Sequence, residues 1–539
     1  MSTTATKPEL VRNALGRLVP AVVNGREQLP YSGLKTHLPL GRKAAPPVRS
    51  ALDYPAKGDK RVPDLETALR NCGLRDGMVI SSHHHLRNGD FVAVEALQTA
   101  ARMGIKDLMW FPSASFPSQA SVIDLMEAGV VHHIEGSMNG PLGDYCSRGK
   151  MRGLGVLRSH GGRWQAIQDG EVHIDIAVIA APTADPFGNA DGSHGPSACG
   201  SLGFALADSA YADHVIVVTD NLVPFPCVPW QIQGNNVDYV VQVPSIGDPT
   251  KIVSGTTQIT RSPDRLLIAE TLAKFIRAAG IMRDGFSFQA GAGGIALAFV
   301  QFLKPMMKEA GIRARFVRGG STKYLVELLQ EGLVDYILDG QTFDLDAVRS
   351  IATDPRHIAT SPFTSYNFHG KGFFNQLVDV AVLGATEVDV NFNANVVTHS
   401  DGRLLHGIGG WQNCLYAGCT ILAVPSFRDR IPVIVDEVTT MVGPGELVDV
   451  VVTERGIAIN PRRQDLIDAT KGSGLPIRPI EQIKREVEKI CGGKPQKPRF
   501  LPRPVAVVKW VDGTVLDSVW QLDEAAFSIP TAASDGGGA

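Results

Sequence analysis

Three consecutive histidines form the densest group of potentially reactive side chains in this sequence. His83, His84 and His85 follow a short apolar run at residues 78–80, and Arg87 and Asn88 come soon after them. Histidine and arginine side chains donate hydrogen bonds to carboxylates, so the cluster predicts a donor-rich pocket for a carboxylate substrate. A metal site is disfavoured, because adjacent residues of an extended chain point to opposite faces. The alternative interpretation is a loop that packs its own histidines.

A second cationic segment lies about 70 residues further on. Residues 158–163 begin with Arg158, and Asn139 and Glu135 lie just upstream. Arg158 and Asn139 could contact the same anion, and Glu135 follows a predicted strand, from which its carboxylate could face the site. For residues 158–163, solvated surface charge is an equally good interpretation.

Two glycine-rich turns stand in the second half of the chain. The first contains Gln289, Gly291, Gly293 and Gly294, and the second contains Gly407, Gly409 and Gly410. Glycines between a strand and a helix let backbone N–H groups approach a ligand and direct a helix N-terminus at negative charge. The pair predicts a site for an oxyanion or a phosphate. The alternative is that the glycines only allow a helix to pack on a strand.

An asparagine-rich segment lies between the two glycine-rich turns. Asn391, Asn393 and Asn395 follow a predicted strand, and their amides are neutral donors suited to an acyl oxygen. Turns that cap the strand are the alternative.

The elements that must position these residues alternate along the chain. Apolar runs at residues 176–180, 214–219, 315–317 and 431–435 predict buried strands. Segments 124–128, 322–331 and 265–279 predict helices, the last of them bridging two halves of the chain. This alternation is typical of open, mostly parallel α/β sheets, which bind ligands at the carboxyl ends of their strands.

The sequence also repeats its own landmarks in order, with a shift of about 203 to 208 residues. Segments 75–80, 103–105, 128–134, 185–190 and 211–218 recur at 283–288, 310–312, 331–337, 389–394 and 416–424. A solenoid is excluded because its units span about 20–50 residues. We therefore predict an α/β protein of two tandem, internally repeated open domains. The predicted boundaries are an N-terminal arm at 1–60, domains at 61–270 and 271–510, and a C-terminal tail at 511–539.

Composition excludes several classes of function. The 539 residues include 52 Lys and Arg against 55 Asp and Glu, and the net charge of -3 gives no footprint for nucleic acid. The first 17 residues lack the apolar core of a secretory signal, and no apolar run is long enough to span a membrane. We expect a cytoplasmic protein. The seven cysteines have no CxxC spacing, and Cys414 and Cys419 lack partners at zinc spacing, so we expect reduced thiols and no metal.

From about residue 30 to residue 510, the chain resembles the alpha subunits of citrate lyase. The segments that carry the resemblance are residues 82–90, 136–141, 184–189, 289–294 and 452–458. More distantly, the second half resembles acyl-CoA:carboxylate transferases, through residues 387–389, 407–410 and 452–456. The resemblance implies that the two domains have the CoA-transferase fold.

The resemblance also implies a reaction, in which acetyl-[acyl-carrier protein] and citrate give citryl-[acyl-carrier protein] and acetate. The carrier's CoA-like thiol, for which acetyl-CoA can substitute, would be the acyl-bearing group, with no cofactor bound covalently to this chain. Implied partners are a beta subunit that cleaves the citryl thioester and a gamma subunit that is the acyl carrier, and the chain itself is expected to form a homo-oligomer. In this interpretation Gly293, Gly409 and Asn395 stabilise the oxyanion. The residues expected to bind citrate are His83, His84, His85, Arg87, Asn88, Asn139 and Arg158. Those expected to bind the thioester of the carrier are Gln289, Gly291, Gly293, Gly294, Gly407 and Gly410.

Related transferases use a glutamate nucleophile that forms a thioester with CoA. Where we place that glutamate, after a strand predicted at residues 334–338, this chain has Asp339, Gly340 and Gln341. The departure fits direct attack by citrate in a ternary complex. Asp339, Glu135 and Glu387 stay open as nucleophiles, as do two other functions: a covalent-glutamate transferase that uses free CoA thioesters, and a non-catalytic assembly subunit.

Overall fold

A computed structural model describes residues 9–34, 37, 58–252, 258–291, 293–370, 373–523 and 525. Part of the predicted arm at 1–60, Ala292 of the first glycine-rich turn and the end of the predicted tail lie outside the described residues. Within the described part, no helix is both long and apolar enough to cross a membrane.

The first half is built around a parallel sheet of seven strands. In spatial order the strands are Arg61–Val62, Tyr239–Gln242, His214–Thr219, Ile176–Ala181, Val79–Ser82, Leu108–Pro112 and Val131–Ile134. All six residues of Ile176–Ala181 are buried. Such uninterrupted apolar strands are typical of a parallel sheet that is covered on both faces.

The second half contains an eight-stranded sheet. Its strands, in spatial order, are His357–Ala359, Ile337–Thr342, Phe316–Ser321, Ser287–Ala290, Val380–Leu383, Cys419–Ala423, Val450–Thr453 and Gly456–Ile459. Only the last pairing, Val450–Thr453 with Gly456–Ile459, is antiparallel. Six strands of each sheet can be compared by numbering them in chain order. They run from Val79–Ser82 to Tyr239–Gln242 in the first sheet and, leaving out His357–Ala359, from Ser287–Ala290 to Val450–Thr453 in the second. Both sets lie side by side in the order 3-2-1-4-5-6.

Helices cover both sheets. In the first half they are Leu65–Asn71, Val92–Arg102, Val122–Glu127, Pro141–Ser147, His160–Gln168 and Leu206–Tyr211. In the second half they are Pro263–Ala278, Gly294–Ala310, Lys323–Gln330, Leu345–Thr353, Pro362–Ser365, Trp411–Cys414, Gln464–Thr470 and Ile480–Cys491. Short 3₁₀ turns lie at Arg87–Gly89, Pro117–Gln119, Gly203–Ala205, Gly234–Asn236, Pro249–Ile252, Phe374–Leu377 and Gly445–Leu447.

The helix Pro263–Ala278 begins with a proline in its first turn and is followed by Gly280 with φ of +70°. Proline suits the first helical turn and glycine the left-handed residue after a helix. The helix was predicted to bridge the halves, but its buried residues Ile268, Leu272 and Phe275 belong to the core of the second half. The domain boundary predicted at residue 270 falls inside it.

Residues 500–522 form a hairpin, which includes the first part of the tail predicted at 511–539. Phe500–Lys509 pairs antiparallel with Val515–Leu522 and parallel with Gly155–Leu157 of the first half. The two hairpin strands are distant in the chain from Gly155–Leu157. A local sequence pattern cannot predict pairing between segments so far apart. The hairpin therefore returns the chain to the first half.

Two predicted strands differ from those observed. Residues 431–435 form two short strands, Ile431–Pro432 and Ile434–Val435, which belong to different sheets. The strand predicted at 334–338 runs instead from Ile337 to Thr342, because Gly340 and Gln341 continue the ladder after a register shift at Gly319/Gly320. Asp339 consequently lies inside a strand.

Small sheets complete the fold. One three-stranded sheet contains Ala394–Asn395, Glu387–Asp389 and Ile434–Val435. Two-stranded ribbons pair Leu10–Arg12 with Leu18–Pro20, Val22–Val23 with Arg26–Glu27, Thr183–Ala184 with Ala190–Asp191, and Phe427–Arg428 with Ile431–Pro432. The largest apolar core includes residues of both halves, such as Ile179 and Leu383, so the halves form one packed body.

Candidate active site

A cleft of about 250 Å³ lies at the carboxyl ends of the second sheet, where residues of the first half close it. We call it the inter-half cleft. Its lining residues are His160, Phe204, Gln289, Ala290, Gly291, Arg318, Gly319, Gly320, Gly340, Gln341, Phe343, Pro362, Tyr366, Leu383, Gly384, Ile408, Gly410, Trp411 and Cys414. The carboxyl edge of a parallel sheet is where open α/β folds bind ligands.

Arg318 is the only arginine or lysine among the described residues that line this cleft. Its side chain is 1% exposed, and its guanidinium lies 4.1 Å from the centre of the Tyr366 ring. One N–H group donates to Asn375 Oδ1 at 2.7 Å, while Nε has no hydrogen-bond partner in the described structure. No described carboxylate lies within ion-pair distance of Arg318. A buried guanidinium without a counter-ion is costly, so the cleft is suited to an anion.

Two polar side chains beside Arg318 also face the cleft. Gln289 Nε2 donates to Cys414 Sγ at 2.7 Å, while Gln289 Oε1 is buried without a partner in the described structure. Burial raises the pKa values of Cys414 and Tyr366, so both side chains are neutral near pH 7. The floor of the cleft thus offers one fixed positive charge among neutral hydrogen-bonding groups.

His84, in the first half, contacts three residues that line the cleft, Gln341, His160 and Phe204. Its Nδ1 lies 2.6 Å from Ser113 Oγ, and its Nε2 lies 3.1 Å from Gln341 Oε1. The ring stacks on His160 with centroids 5.4 Å apart and contacts Phe204. Burial, the charge of a protonated His160 and other nearby cations hold the pKa of His84 well below its usual range. Burial likewise lowers the pKa of His160 to about 3. Both imidazoles are therefore neutral near pH 7 and can donate or accept a hydrogen bond.

His83 and His85 do not line the cleft, although the His85 ring lies 6.3 Å from the Phe204 ring that His84 also contacts. Their rings stack on each other with centroids 5.7 Å apart. His83 Nε2 lies 3.0 Å from Asp208 Oδ2, and Arg163 donates two hydrogen bonds of 2.7 Å to the same carboxylate. The buried cluster of His83, His85, Asp208 and Arg163 therefore belongs to the first half, and none of these residues lines the cleft.

Arg87 lies near His84, since both side chains contact the Phe116 ring. Its guanidinium lies 4.7 Å from the centre of the Phe343 ring and 5.2 Å from that of Phe116, and burial lowers its pKa to about 10. Its φ of +53° is in the left-handed region, an uncommon conformation for a residue with a side chain. Asn88 is half-buried and does not line the cleft.

The first glycine-rich turn is divided between two cavities. Gln289 and Gly291 line the inter-half cleft, while Gly291, Gly293 and Gly294 line an adjoining cavity of about 230 Å³. Gly293 is the N-cap of the 17-residue helix Gly294–Ala310, and no side chain caps that helix N-terminus in the described structure. The turn therefore lies between a strand and a helix, as predicted, and brings the helix N-terminus to the wall of the adjoining cavity.

Of the three glycines of the second glycine-rich turn, only Gly410 lines the inter-half cleft. The carbonyl of Gly409 accepts a hydrogen bond from the His160 backbone N–H at 2.8 Å. Gly407 packs against Ser137, because a Cβ placed on Gly407 would lie 2.2 Å from the Ser137 Cβ. Gly407 therefore has a packing role, and Gly409 fixes the start of the helix that carries His160.

The structure places Asn395 away from the cleft. Its amide nitrogen donates to Glu387 Oε2 at 2.9 Å and to Thr398 Oγ1 at 2.9 Å, and its oxygen accepts the backbone N–H groups of Val397 and Thr398. Glu387 also accepts two hydrogen bonds from Thr439. The Asn395 amide is occupied by internal contacts, which corresponds to the capping alternative.

Arg158 and Glu135 form an ion-paired network instead of facing the cleft. Arg158 donates to Glu135 at 2.8 Å and to Glu171 at 3.0 Å, and Lys509 lies 2.9 Å from Glu171. Arg26 also pairs with Glu135. Although burial opposes it, the positive charge of Arg158 holds the pKa of Glu135 below its usual range. The network ties the N-terminal ribbon and the C-terminal hairpin to the first half. Asn139, half-buried near it, does not line the cleft.

No Asp or Glu is among the described residues that line the inter-half cleft. Asp339 is fully buried and accepts hydrogen bonds from Ser321 Oγ at 2.5 Å and Thr342 Oγ1 at 2.7 Å. Gln341, two residues later on the same strand, lines the cleft with a neutral amide. The strand thus presents an amide to the cleft and buries its carboxylate.

One group of side chains has metal-ligand spacing. The ligand atoms of His173, Asp175 and Asp213 lie within 4.8 Å of one another. They lie at the amino ends of the strands Ile176–Ala181 and His214–Thr219 of the first sheet, and none of them lines the inter-half cleft. Asp213 is exposed, and exposed acidic groups commonly stand together without an ion.

Arg318, Tyr366 and Gln341 were not selected as site residues from the sequence. A signal for Arg318 exists: a charged residue interrupts an apolar run directly before Gly319 and Gly320, at the end of a strand. Tyr366 has no comparable local signal. It reaches the cleft only because the helix Pro362–Ser365 returns beneath Arg318.

Comparison with known proteins identifies relatives over nearly the whole chain. The family model described as "Citrate lyase, alpha subunit" matches residues 58–522. The citrate lyase alpha chain of Klebsiella pneumoniae is 42% identical over 461 residues, which are 85% of this chain and 90% of that relative. The crystal structure of the putative alpha subunit of citrate lyase from Streptococcus mutans, in complex with citrate, is 40% identical with a TM-score of 0.89, and the match covers 95% of this chain and 100% of that one. A 4-hydroxybutyrate CoA-transferase from Porphyromonas gingivalis is 15% identical, with a TM-score of 0.51 and coverage of 80% and 98%, which shows a shared fold alone.

Proposed function

Because the chain belongs to the family of citrate lyase alpha subunits, we propose that it exchanges acyl groups on a carrier thiol. In the proposed reaction, acetyl-[acyl-carrier protein] and citrate give citryl-[acyl-carrier protein] and acetate. The chain is then the citrate CoA-transferase component of citrate lyase.

The observation that carries the proposal is Arg318 in the inter-half cleft. Its buried charge has no carboxylate partner in the described structure, and a carboxylate of citrate would supply that partner. Gln289 Oε1, buried and unpartnered beside it, can accept a hydrogen bond from the citrate hydroxyl. The description of the Streptococcus mutans relative as a citrate complex supports the choice of acceptor.

In the proposed chemistry a citrate carboxylate attacks the thioester carbonyl of the acetyl-carrier. The tetrahedral intermediate collapses to a mixed anhydride and releases the carrier thiolate. The thiolate then attacks the citryl carbonyl of the anhydride, forming the citryl thioester and releasing acetate. Both nucleophiles are already ionised, so the protein supplies orientation and stabilises the oxyanions. Backbone N–H groups near Gly291 and Gly293 are suited to the second task.

Two features support direct attack over a covalent enzyme intermediate. No described carboxylate lines the cleft, and Asp339 is engaged by Ser321 and Thr342. The competing function, a covalent-glutamate transferase for free CoA thioesters, requires an accessible carboxylate nucleophile. Glu135 is ion-paired with Arg158, and Glu387 is hydrogen-bonded to Asn395 and Thr439.

We extend the proposal to cofactor, partners and evolution. The acyl-bearing group is the CoA-like thiol of a separate gamma subunit, with a beta subunit as the citryl lyase and with homo-oligomers of this chain. The alpha chain name of the relatives supports a complex of several subunits. The two halves are tandem copies of one domain, a proposal supported by the common order of six strands in the two sheets.

The test is acetate release from acetyl-CoA by the purified chain with citrate or succinate as acceptor, with intact-protein mass spectrometry during turnover. We expect turnover with citrate and no covalent adduct. A glutamyl-CoA adduct with no preference among acceptors would establish the competing function. A chain that binds citrate but transfers no acyl group would instead be an assembly subunit.

A further inference from the structure

The adjoining cavity continues the inter-half cleft. The two cavities share Gly291, Leu383 and Gly384, so these residues form the passage between them. The lining of the adjoining cavity includes Arg265, Arg428 and the helix N-terminus at Gly293 and Gly294. A ligand too long for the cleft can therefore extend into a second space with a different charge.

Three glycines in or beside the passage are required neither by backbone conformation nor by close packing. Gly291, Gly293 and Gly384 have no φ in the left-handed region, so their backbone conformations are open to other residues. A Cβ at Gly293 or Gly384 would meet no atom within 4 Å, and a Cβ at Gly291 would have its nearest neighbour at 3.8 Å. Side chains here would project into empty space. Glycine at these positions keeps that space open.

Two arginines of this cavity have no carboxylate partner in the described structure. Arg428 donates to the backbone carbonyls of Ala385 at 2.7 Å and Thr386 at 3.0 Å, which orients its guanidinium without neutralising it. Arg265, an exposed residue in the first turn of the helix Pro263–Ala278, lines the same cavity as Arg428. Burial and the positive charge of Arg265 lower the pKa of Arg428, while the carboxylate of Glu387 acts in the opposite direction. Two like charges held near each other indicate a site for a strongly anionic group.

We propose that Arg265 and Arg428 bind the phosphate of a phosphopantetheine-type thioester donor, whose arm runs past Gly384 so that its thioester lies at the entrance of the inter-half cleft. The inference rests on the proposed acyl exchange and adds to it the residues that recognise the donor. The same phosphate chemistry is offered by free CoA and by the arm of a carrier protein. The donor and the acceptor thus enter from different cavities and meet at Gly291.

The test compares acetyl-CoA, acetyl-phosphopantetheine and acetyl-pantetheine, which lacks phosphate, as donors to citrate. For Arg265→Gln we expect KM to rise about tenfold for both phosphorylated donors and to stay unchanged for acetyl-pantetheine, since a charge-assisted contact is lost. Arg428→Lys keeps the charge but loses the two-point geometry, and we expect a smaller rise. The matched control is Arg349→Gln, an exposed arginine paired with Asp346 outside both cavities. A similar loss with acetyl-phosphopantetheine and acetyl-CoA assigns the contact to the arm's phosphate; a loss with acetyl-CoA alone would overturn the proposal.

Direct binding separates this inference from the proposed function. Calorimetry with CoA should show affinity about tenfold weaker in Arg265→Gln, and weaker also in Gly384→Val, with citrate affinity unchanged in Arg265→Gln. If the native chain transfers no acyl group but its CoA affinity depends on Arg265, the proposed function fails and the phosphate site stands. Unchanged CoA affinity in both variants, or an equal KM rise with acetyl-pantetheine, would overturn the phosphate site.

Discussion

His84 and Gln341 join the two halves of the chain across the inter-half cleft. His84 Nε2 lies 3.1 Å from Gln341 Oε1, and Gln341 Nε2 donates to the His84 carbonyl at 3.3 Å. Ser113 Oγ lies 2.6 Å from the other ring nitrogen. The ring is therefore held from both halves, and a change in how the halves meet would move it.

The first prediction concerns Arg318. Arg318→Gln should weaken citrate binding about 10- to 100-fold, because a buried charge-assisted contact is lost. Arg318→Lys should recover part of the affinity. Calorimetric titration with citrate is the measurement, and Arg315→Gln, three residues earlier on an exposed position, is the control. Equal citrate affinity in Arg318→Gln and the native chain would remove Arg318 from the site.

The second prediction concerns the amide of Gln341. Gln341→Glu places a carboxylate on the cleft wall, and its charge should repel citrate and weaken binding at least about tenfold. The same variant tests the missing nucleophile: intact mass during turnover shows whether the new carboxylate accepts CoA. Gln341→Met, of similar volume and without charge, is the control for packing. Citrate binding as tight as in the native chain would mean that Gln341 does not face the acceptor.

The third prediction is that citrate binding takes up protons. The pKa of His160 is about 3 and that of His84 is well below its usual range, so both rings are neutral near pH 7. A bound polyanion favours the protonated form and raises both values. The affinity for the fully ionised form of citrate should therefore rise as the pH falls through the raised pKa values of the two rings, once the protonation of free citrate has been measured at each pH and subtracted.

Calorimetry in two buffers of different ionisation enthalpy measures this proton uptake directly. His160→Gln should reduce it, whereas His173→Gln, outside the cleft, should not. Proton release on binding, or no net transfer, would show that the imidazoles do not respond to the ligand.

The fourth prediction concerns the Glu135 network. Glu135→Ala leaves buried Arg158 with one fewer partner and should cost about 3–5 kcal/mol of stability. Glu66→Ala, which breaks an exposed pair with Arg70, should cost only about 0.3–0.5 kcal/mol. Thermal unfolding measures both. Citrate affinity at a temperature where Glu135→Ala is folded should match the native chain, and a selective loss of citrate binding would return Glu135 to the site.

Two central strands of the first sheet were predictable because buried parallel strands are short apolar runs. Residues 214–219 and 176–180 were predicted almost to their observed ends. The C-terminal hairpin was not, because its strand Phe500–Lys509 is stabilised by pairing with Gly155–Leu157, about 350 residues away in the chain. A local pattern contains no information about such a partner.

The site was only partly predictable for a related reason. His84, Gln289, Gly291 and Gly410 line or border the cleft, as their types and spacing indicated. Asn395 and Arg158 have equally suitable chemistry, but their hydrogen-bonding groups are occupied by Glu387, Thr398, Glu135 and Glu171. Sequence reports what a side chain can do, whereas tertiary packing decides which groups stay free for a ligand.

The central claim is that this chain transfers an acyl-carrying thiol to citrate held against Arg318. Its most direct test is mass-spectrometric detection of citryl-CoA after the purified chain is mixed with acetyl-CoA and citrate. We predict that citryl-CoA and acetate form in equal amounts, and that Arg318→Gln slows their formation while Arg315→Gln does not. Absence of citryl-CoA from a folded chain that binds both ligands would contradict the claim.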